Sequence, residues 1–437
     1  MTLPASRAFW CEQALLGEPA AGTVAAGVLV TVADGVVTDV QPGVEPPAAG
    51  AAGAARLAGL TIPGLANAHS HVFHRALRGR SLGGRDLGGG SLGGRDLGGR
   101  DLAAGGDFWR WRDTMYALAT GLDPETLYEL ARATYAEMAL AGITLVGEFH
   151  YLHHGADGRP YAQPGAMEEA VVSAAAAAGL RITLLDTCYL HGGVDQPLSG
   201  TQRRFGDGDV AGWAARVGAF RSTASARPGA AVHSVRALRP PEIAEVAAFA
   251  AEGALPLHVH LSEQPAENEA CRTAYGRTPT ELLADRGALG PRTVAVHGTH
   301  LTDGDLALLG GSGTGVCLCP TTERDLADGI GRASAMAAAG CSLSVGSDSH
   351  AVIDLFEEAR AVELDERLAT GRRGGHGSAS LLAAATAEGY RALGWPEGGR
   401  IAVGAAADFT TVSLATPRTA GADPAGLVDT AVYAASA

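Results

Sequence analysis

Pro63-Gly64-Leu65-Ala66-Asn67-Ala68-His69-Ser70-His71 carries two histidines spaced two apart, directly after the apolar run Leu60-Thr61-Ile62. On a β-strand that spacing turns both imidazoles to one face, where two neutral ring nitrogens can chelate a divalent ion. Three further apolar runs close on groups of matching chemistry: Leu257-His258-Val259-His260-Leu261-Ser262-Glu263, Val294-Ala295-Val296-His297-Gly298 and Leu343-Ser344-Val345-Gly346-Ser347-Asp348-Ser349-His350. One His-x-His alone, or one Ser-Asp-Ser after a strand, is ordinary, since histidines pack in cores and Asp and Ser serve turns and caps. The conjunction His-x-His, His-x-x-Glu, His, Asp is not, and it points to a metal site. A (β/α)8 barrel builds such a site from the C-terminal ends of successive parallel strands.

The elements that would hold these groups are legible. Alanine-rich helices over residues 124–141, 167–178 and 241–252 alternate with strands, which implies a parallel sheet closed into a barrel. Residues up to about 62 read instead as short strands with glycine turns, including 28–32 and 35–40, and 400–412 has the same character. A chain of 437 residues accommodates one barrel and a small domain. Ser81-Leu82-Gly83-Gly84-Arg85-Asp86-Leu87-Gly88-Gly89-Gly90 is nearly repeated over 91–100, so the Gly-rich repeat loop 81–106 is expected to be an inserted flexible coil.

Composition excludes several function classes. A net charge of −14 without a basic cluster outside that loop argues against nucleic acid. No apolar span reaches membrane length, and Met1-Thr2-Leu3-Pro4-Ala5 lacks a basic start leading into an apolar core, so a cytoplasmic protein without a membrane partner is expected. Cys11, Cys188, Cys271, Cys317, Cys319 and Cys341 contain no C-x-x-C and are expected to be buried thiols.

Beyond the metal motifs, the chain carries Phe108-Trp109-Arg110-Trp111-Arg112, Gly147-Glu148-Phe149-His150-Tyr151-Leu152-His153-His154, Gln202-Arg203-Arg204-Phe205, Val232-His233-Ser234-Val235-Arg236-Ala237 and His260-Leu261-Ser262-Glu263-Gln264. With these it resembles the formimidoylglutamate deiminases of histidine degradation, in the branch of the amidohydrolase superfamily that deaminates with a single zinc ion. The resemblance runs from about residue 60 to 372. It implies an α/β fold: a TIM-type (β/α)8 barrel over 63–396, beside a small β-sandwich domain made from 1–62 plus 397–437.

The resemblance also implies roles. One Zn2+ per subunit would sit on His69, His71, His260 and Asp348. Glu263 would protonate the imino nitrogen, His297 would orient the attacking water and stabilise the oxyanion, and Asp348 would pass the water's proton to departing ammonia. His74, Arg112, Tyr151, His233 and Arg236 would hold an acidic, glutamate-derived substrate, N-formimidoyl-L-glutamate, on its way to N-formyl-L-glutamate. Arginine suits this in an acidic protein, because its planar fork pairs bidentately with carboxylates. One departure is His74, where the family usually has glutamine. His258 is expected to pack or support, and His150, His153 and His154 to be polar-cleft histidines and not a second metal site. A homodimer is the expected assembly. The alternatives are a deaminase of another substrate, such as guanine or an adenosine derivative, and a catalytically dead relative; intact Glu263, His297 and Asp348 count against the latter.

Overall fold

The computed structural model describes residues 6–47, 53–79 and 108–437, so the Gly-rich loop 81–106 lies outside the described residues. Strands are numbered β1 to β15 along the chain. Alternation over 28–32 turns Val28, Val30 and Val32 to one face, where they pack with Cys11, Ala14, Val37 and Ile401. That face belongs to a five-stranded sheet of β1 (Arg7–Leu16), β2 (Thr23–Ala33), β3 (Val36–Gln41), β4 (Ala54–Pro63) and the late strand β15 (Phe409–Val412), ordered β15-β4-β1-β2-β3. The two ends of the chain thus meet in one sheet.

Eight parallel strands form the second sheet: β5 (Leu65–Ser70), β6 (Ile143–His150), β7 (Arg181–Cys188), β10 (Ala226–Val232), β11 (Leu257–Leu261), β12 (Thr293–His297), β13 (Gly315–Leu318) and β14 (Leu343–Val345). They lie side by side in chain order and curl into a TIM-type barrel. Between β7 and β10, β8 (His191–Gly193) and β9 (Gln196–Pro197) make a short antiparallel hairpin. The crossover helices start and stop where local chemistry dictates. Asp123 caps Pro124–Leu140 by accepting from the Thr126 amide, with proline at the first helical position. Ala166–Ala178 ends on Gly179 at φ 81°, a left-handed cap that glycine adopts without penalty.

Two segments differ from the reading of the sequence. The run Leu60-Thr61-Ile62 does not begin the histidine strand; it ends β4, where Leu60 pairs with Val412 and Thr61 with Thr411. Pro63 cannot donate to a ladder, and a Cβ on Gly64 would overlap the Thr144 side chain, so the chain changes sheets there and enters the barrel at Leu65. Residues 397–437 also divide. Phe409–Val412 joins the small sheet, while Leu427–Ala434 is a helix whose buried Leu427, Ala431 and Val432 pack on the barrel helices Leu355–Thr370 and Ser378–Ala384.

The interior of the barrel below the site is built of small and β-branched side chains, Ala68, Val294, Val296, Cys317 and Cys319. All six cysteines are buried and unpaired. Among the described residues no helix is long and apolar enough to cross a membrane. Close approach matters most where β14 meets β5, because a Cβ on Gly346 would stand 2.7 Å from the His69 Cβ and 2.8 Å from its backbone nitrogen. Gly346→Ala is therefore expected to lower stability by about 1–3 kcal/mol, as overpacked core positions do. The measurement is a urea midpoint that falls while the slope stays unchanged.

Candidate metal and active site

His69 is the penultimate residue of β5 and His71 follows it; His260 lies in β11, His297 closes β12, and Asp348 comes three residues after β14. His71 donates from Nδ1 to the Phe149 carbonyl at 2.8 Å and His260 from Nδ1 to the His233 carbonyl at 2.9 Å. Each ring's second nitrogen is then a bare lone pair. The Nε2 atoms of His69, His71 and His260 converge to within 3.1, 3.2 and 3.1 Å of one another. Asp348 Oδ1 closes the figure at 3.5 Å from His69 Nε2 and 3.4 Å from His71 Nε2. Zinc–nitrogen bonds of 2.0–2.1 Å at a tetrahedral centre set donor-to-donor edges of about 3.3 Å. These residues therefore fit a divalent metal ion, and lone pairs this close need a cation between them.

Burial supports that assignment. Desolvation pushes the His69 imidazole down to about 3, and lowers His71 and His260 too, so the rings are neutral as metal ligands must be. Desolvation alone would raise Asp348, but His69, His297 and His71 hold its carboxyl well below the usual range. His297 Nε2 stands 3.8 Å from both Asp348 Oδ2 and Glu263 Oε1, while its Nδ1 faces Glu323 Oε1 at 3.4 Å. Burial would lower His297, yet Glu263, Glu323 and Asp348 raise it well above its ordinary value. Desolvation raises Glu263. An acid and an imidazole raised above their ordinary values thus stand 3.8 Å apart beside a carboxylate held below its own, a set able to exchange protons.

Non-glycine residues with left-handed backbone gather here: Ser262 at φ 50°, His297 at 71°, Asp348 at 43° and His350 at 60°. The chain turns sharply as each strand ends, a conformation that functional sites retain at some cost in backbone strain.

Beside this cluster opens a cavity of about 390 Å³ that His74, Arg112, Tyr151, His233 and Arg236 line together with His71, His260, Glu263, His297 and Asp348. His74 Nε2 lies 2.9 Å from the Tyr151 hydroxyl. The Arg112 guanidinium stands 5.7 Å from the centre of the Tyr116 ring. His233 packs edge-on against Tyr189, and desolvation, then Arg236, hold its imidazole well below the ordinary value. Arg236 Nε is 3.8 Å from Glu267 Oε2, and burial lifts the Glu267 carboxyl to about 7. Glu267, Glu323 and the His191–Val194 side of the hairpin were not singled out from sequence. Glu267 could have been, since it falls in the first turn of the helix Pro265–Tyr275 that follows Glu263.

The remaining histidines go elsewhere. His258 shares the inward face of β11 but donates from Nε2 to the Ala392 carbonyl at 2.9 Å. His150, His153 and Glu168 cluster too, yet His153 Nδ1 is only 2.6 Å from Glu168 Oε1, a hydrogen bond and too short for an edge of about 3.3 Å between zinc ligands. Arg216 fills the cation's place there, 3.3 Å from Glu168, 2.7 Å from Asp186 and paired with Asp207, which also bonds His154. Cys319 reaches the ligand atoms of His297 and Asp348, but burial keeps its thiol neutral.

A family model for the amidohydrolase family matches residues 60–434. The chain belongs to the amidohydrolase family. This amidohydrolase is 36% identical to the formimidoylglutamate deiminase of Pseudomonas aeruginosa over 98% of its own length and 90% of that protein's. It is 28% identical to the 8-oxoguanine deaminase of the same organism, covering 95% of this chain and 88% of the other. Among solved structures it matches an amidohydrolase from Brucella melitensis with a TM-score of 0.84 and 32% identity, over 98% of this chain and 91% of that one. Family and relatives make it a hydrolytic enzyme acting on C–N bonds of a small molecule.

The Arg216 network yields a stability test. Burial favours the neutral Glu168 acid, but His153, His150 and Arg216 hold it down at about 2, against an ordinary 4.5. A depressed carboxyl contributes stability that is present above its unfolded value and lost as pH falls through its folded one. Glu168→Gln, which leaves Arg216 short of a partner, is expected to cost about 3–5 kcal/mol at pH 7. It should also flatten the loss of stability between about pH 4.5 and 2, read by denaturant titration across that range.

Proposed function

We propose that this amidohydrolase is a zinc-dependent N-formimidoyl-L-glutamate deiminase, producing N-formyl-L-glutamate and ammonia. The observation that carries the reading is that two guanidinium groups, Arg112 and Arg236, line the cavity beside the metal-ligand cluster. A substrate with two carboxylates calls for two such cations, whereas a purine calls for none. The 36% identity with the Pseudomonas aeruginosa enzyme supports it. The aromatic part of the lining, Trp111, Tyr116, Tyr151 and Tyr189, favours a second reading, a purine deaminase.

Zinc held by His69, His71, His260 and Asp348 would supply a water acidified from 15.7 toward about 7. The chain's own groups move the protons. Arg236 and Arg112 hold the carboxylates and aim the formimidoyl carbon at the ligand cluster. Glu263 gives its proton to the imino nitrogen as water oxygen bonds to carbon and the C=N π bond breaks. Asp348 Oδ2, the oxygen facing His297 and not the ligand nitrogens, accepts the water's proton. His297 stabilises charge developing on oxygen. Asp348 then protonates the amine, the C–N bond breaks to release ammonia, and the hydroxyl proton returns to Glu263 as the formyl carbonyl forms.

Ammonia release from N-formimidoyl-L-glutamate, with guanine and adenosine alongside, tests the reading. Turnover of formimidoylglutamate alone is expected; ammonia only from the purines would establish the second reading instead. Glu263→Gln should lower kcat by about 10²–10⁴ with metal content unchanged. Arg236→Ala should act mainly on KM, by about 10-fold to 100-fold, the worth of a hydrogen bond to a charged group.

A further inference from the structure

The eight-stranded sheet has one weak seam. β14 and β5 share no ladder beyond the single parallel bridge Ser70 to Asp348, with backbone bonds from His71 to Asp348 at 3.1 Å and from Asp348 to His69 at 3.0 Å. Three of the four candidate ligands sit on the two sides of that seam. Across it runs a continuous chain of buried side chains. Asn67 Nδ2 donates to Ser347 Oγ at 2.7 Å, Ser347 Oγ lies 3.0 Å from His350 Nδ1, His350 Nε2 lies 3.1 Å from Ser70 Oγ, and Ser70 Oγ donates to Glu148 Oε2 at 2.6 Å. The chain's polarity is set at both ends. Asn67 Oδ1 accepts the Ser347 amide at 2.9 Å, which fixes Nδ2 as the donor. Glu148 receives the Val72 amide at 2.7 Å and the Tyr135 hydroxyl at 3.1 Å, which makes it the terminal acceptor. His350 must therefore accept at Nδ1 and donate at Nε2.

We propose that Ser70, Glu148 and His350 are positioning residues for the metal site: their relay holds β5 against β14 at the spacing that brings His69 and His71 to Asp348. None of the three lines the cavity. Ser70 lies between the two histidine ligands and Glu148 comes from the neighbouring strand β6, so the relay ties three strand ends together. The inference rests on His69, His71, His260 and Asp348 being metal ligands.

The test reads zinc affinity of the purified full chain by competition with a chromogenic chelator, independently of any substrate. Ser70→Ala is expected to weaken zinc binding 10-fold to 100-fold, the usual effect of removing a group that orients ligands. Glu148→Gln should do likewise, since its NH2 must stand either against the Ser70 and Tyr135 hydroxyls, which share Oε2, or against the Val72 amide on Oε1. Ser70→Thr, which keeps the hydroxyl, should restore affinity. Tyr135→Phe removes a donor to Glu148 without cutting the relay and should stay near wild type. Should Ser70→Ala fail to fold, His350→Asn cuts the relay from the other side with a residue that tolerates the left-handed backbone at φ 60°. A folded relay variant with wild-type affinity, or Tyr135→Phe weakening zinc as much as Ser70→Ala, would overturn the proposal. A wild-type chain without zinc affinity, or undiminished affinity in His260→Ala, would overturn the metal reading and this inference with it.

Discussion

Three imidazole nitrogens, of which those of His71 and His260 carry no hydrogen, and one carboxylate point at a common centre inside the barrel mouth. Without a cation this arrangement is repulsive, and the rings are too deeply buried to escape the repulsion by becoming protonated. The remainder of the architecture serves to enforce it. The Phe149 and His233 carbonyls choose the tautomers of His71 and His260, so backbone from two neighbouring strands decides which ring nitrogen is free. Gly346 allows β14 to come close enough to β5 for Asp348 to complete the set.

The surrounding charges form a graded series. Asp348 is driven down, His297 up, and Glu263 up, all within one contact network, because burial magnifies each charge's effect on its neighbours. Glu323 stands behind His297 and accepts the Cys319 amide at 3.0 Å, which ties the imidazolium to the loop after β13. The same logic holds one layer out. Glu267 is buried 3.8 Å from Arg236 with its carboxyl lifted to about 7, so it offsets the guanidinium only in part and leaves positive charge for a substrate carboxylate. A net charge of −14 does not prevent anion binding when local cations are held this way.

The strands that carry the candidate ligands were legible because each such group closes a short apolar run, and period-two spacing alone turns His69 and His71 to one side. The helices were legible from alanine-rich stretches bounded by Pro and Gly. The switch of sheets at Pro63-Gly64 was not, since Leu60-Thr61-Ile62 is as suitable for the small sheet's strand as for the barrel's. Nor was the left-handed backbone at His297 and Asp348, because no glycine marks those positions. Ser70, Glu148 and His350 were visible in the quoted motifs but had no assigned part. Their partners stand 78 and 280 positions away along the chain, and neither periodicity nor composition carries that information.

The contrast between the two histidine clusters explains why residue type is insufficient to find a metal site. His69, His71 and Asp348, like His150, His153 and Glu168, offer two imidazoles and a carboxylate in a buried setting. In the first, edges of 3.1 to 3.5 Å leave room for an ion. In the second, a proton already bridges His153 and Glu168 at 2.6 Å, and Arg216 supplies the positive charge. A backbone carbonyl anchors a ring in both clusters: His71 and His260 give their Nδ1 hydrogens to carbonyls, and His153 faces the Thr187 carbonyl from Nε2 at 3.1 Å. The difference is at the inward nitrogen, where His153 holds a second hydrogen against Glu168, whose charge keeps that imidazole raised above its ordinary value. Whether the inward nitrogen carries a hydrogen decides whether a cluster of histidines gathers lone pairs for a metal or a proton for an ion pair.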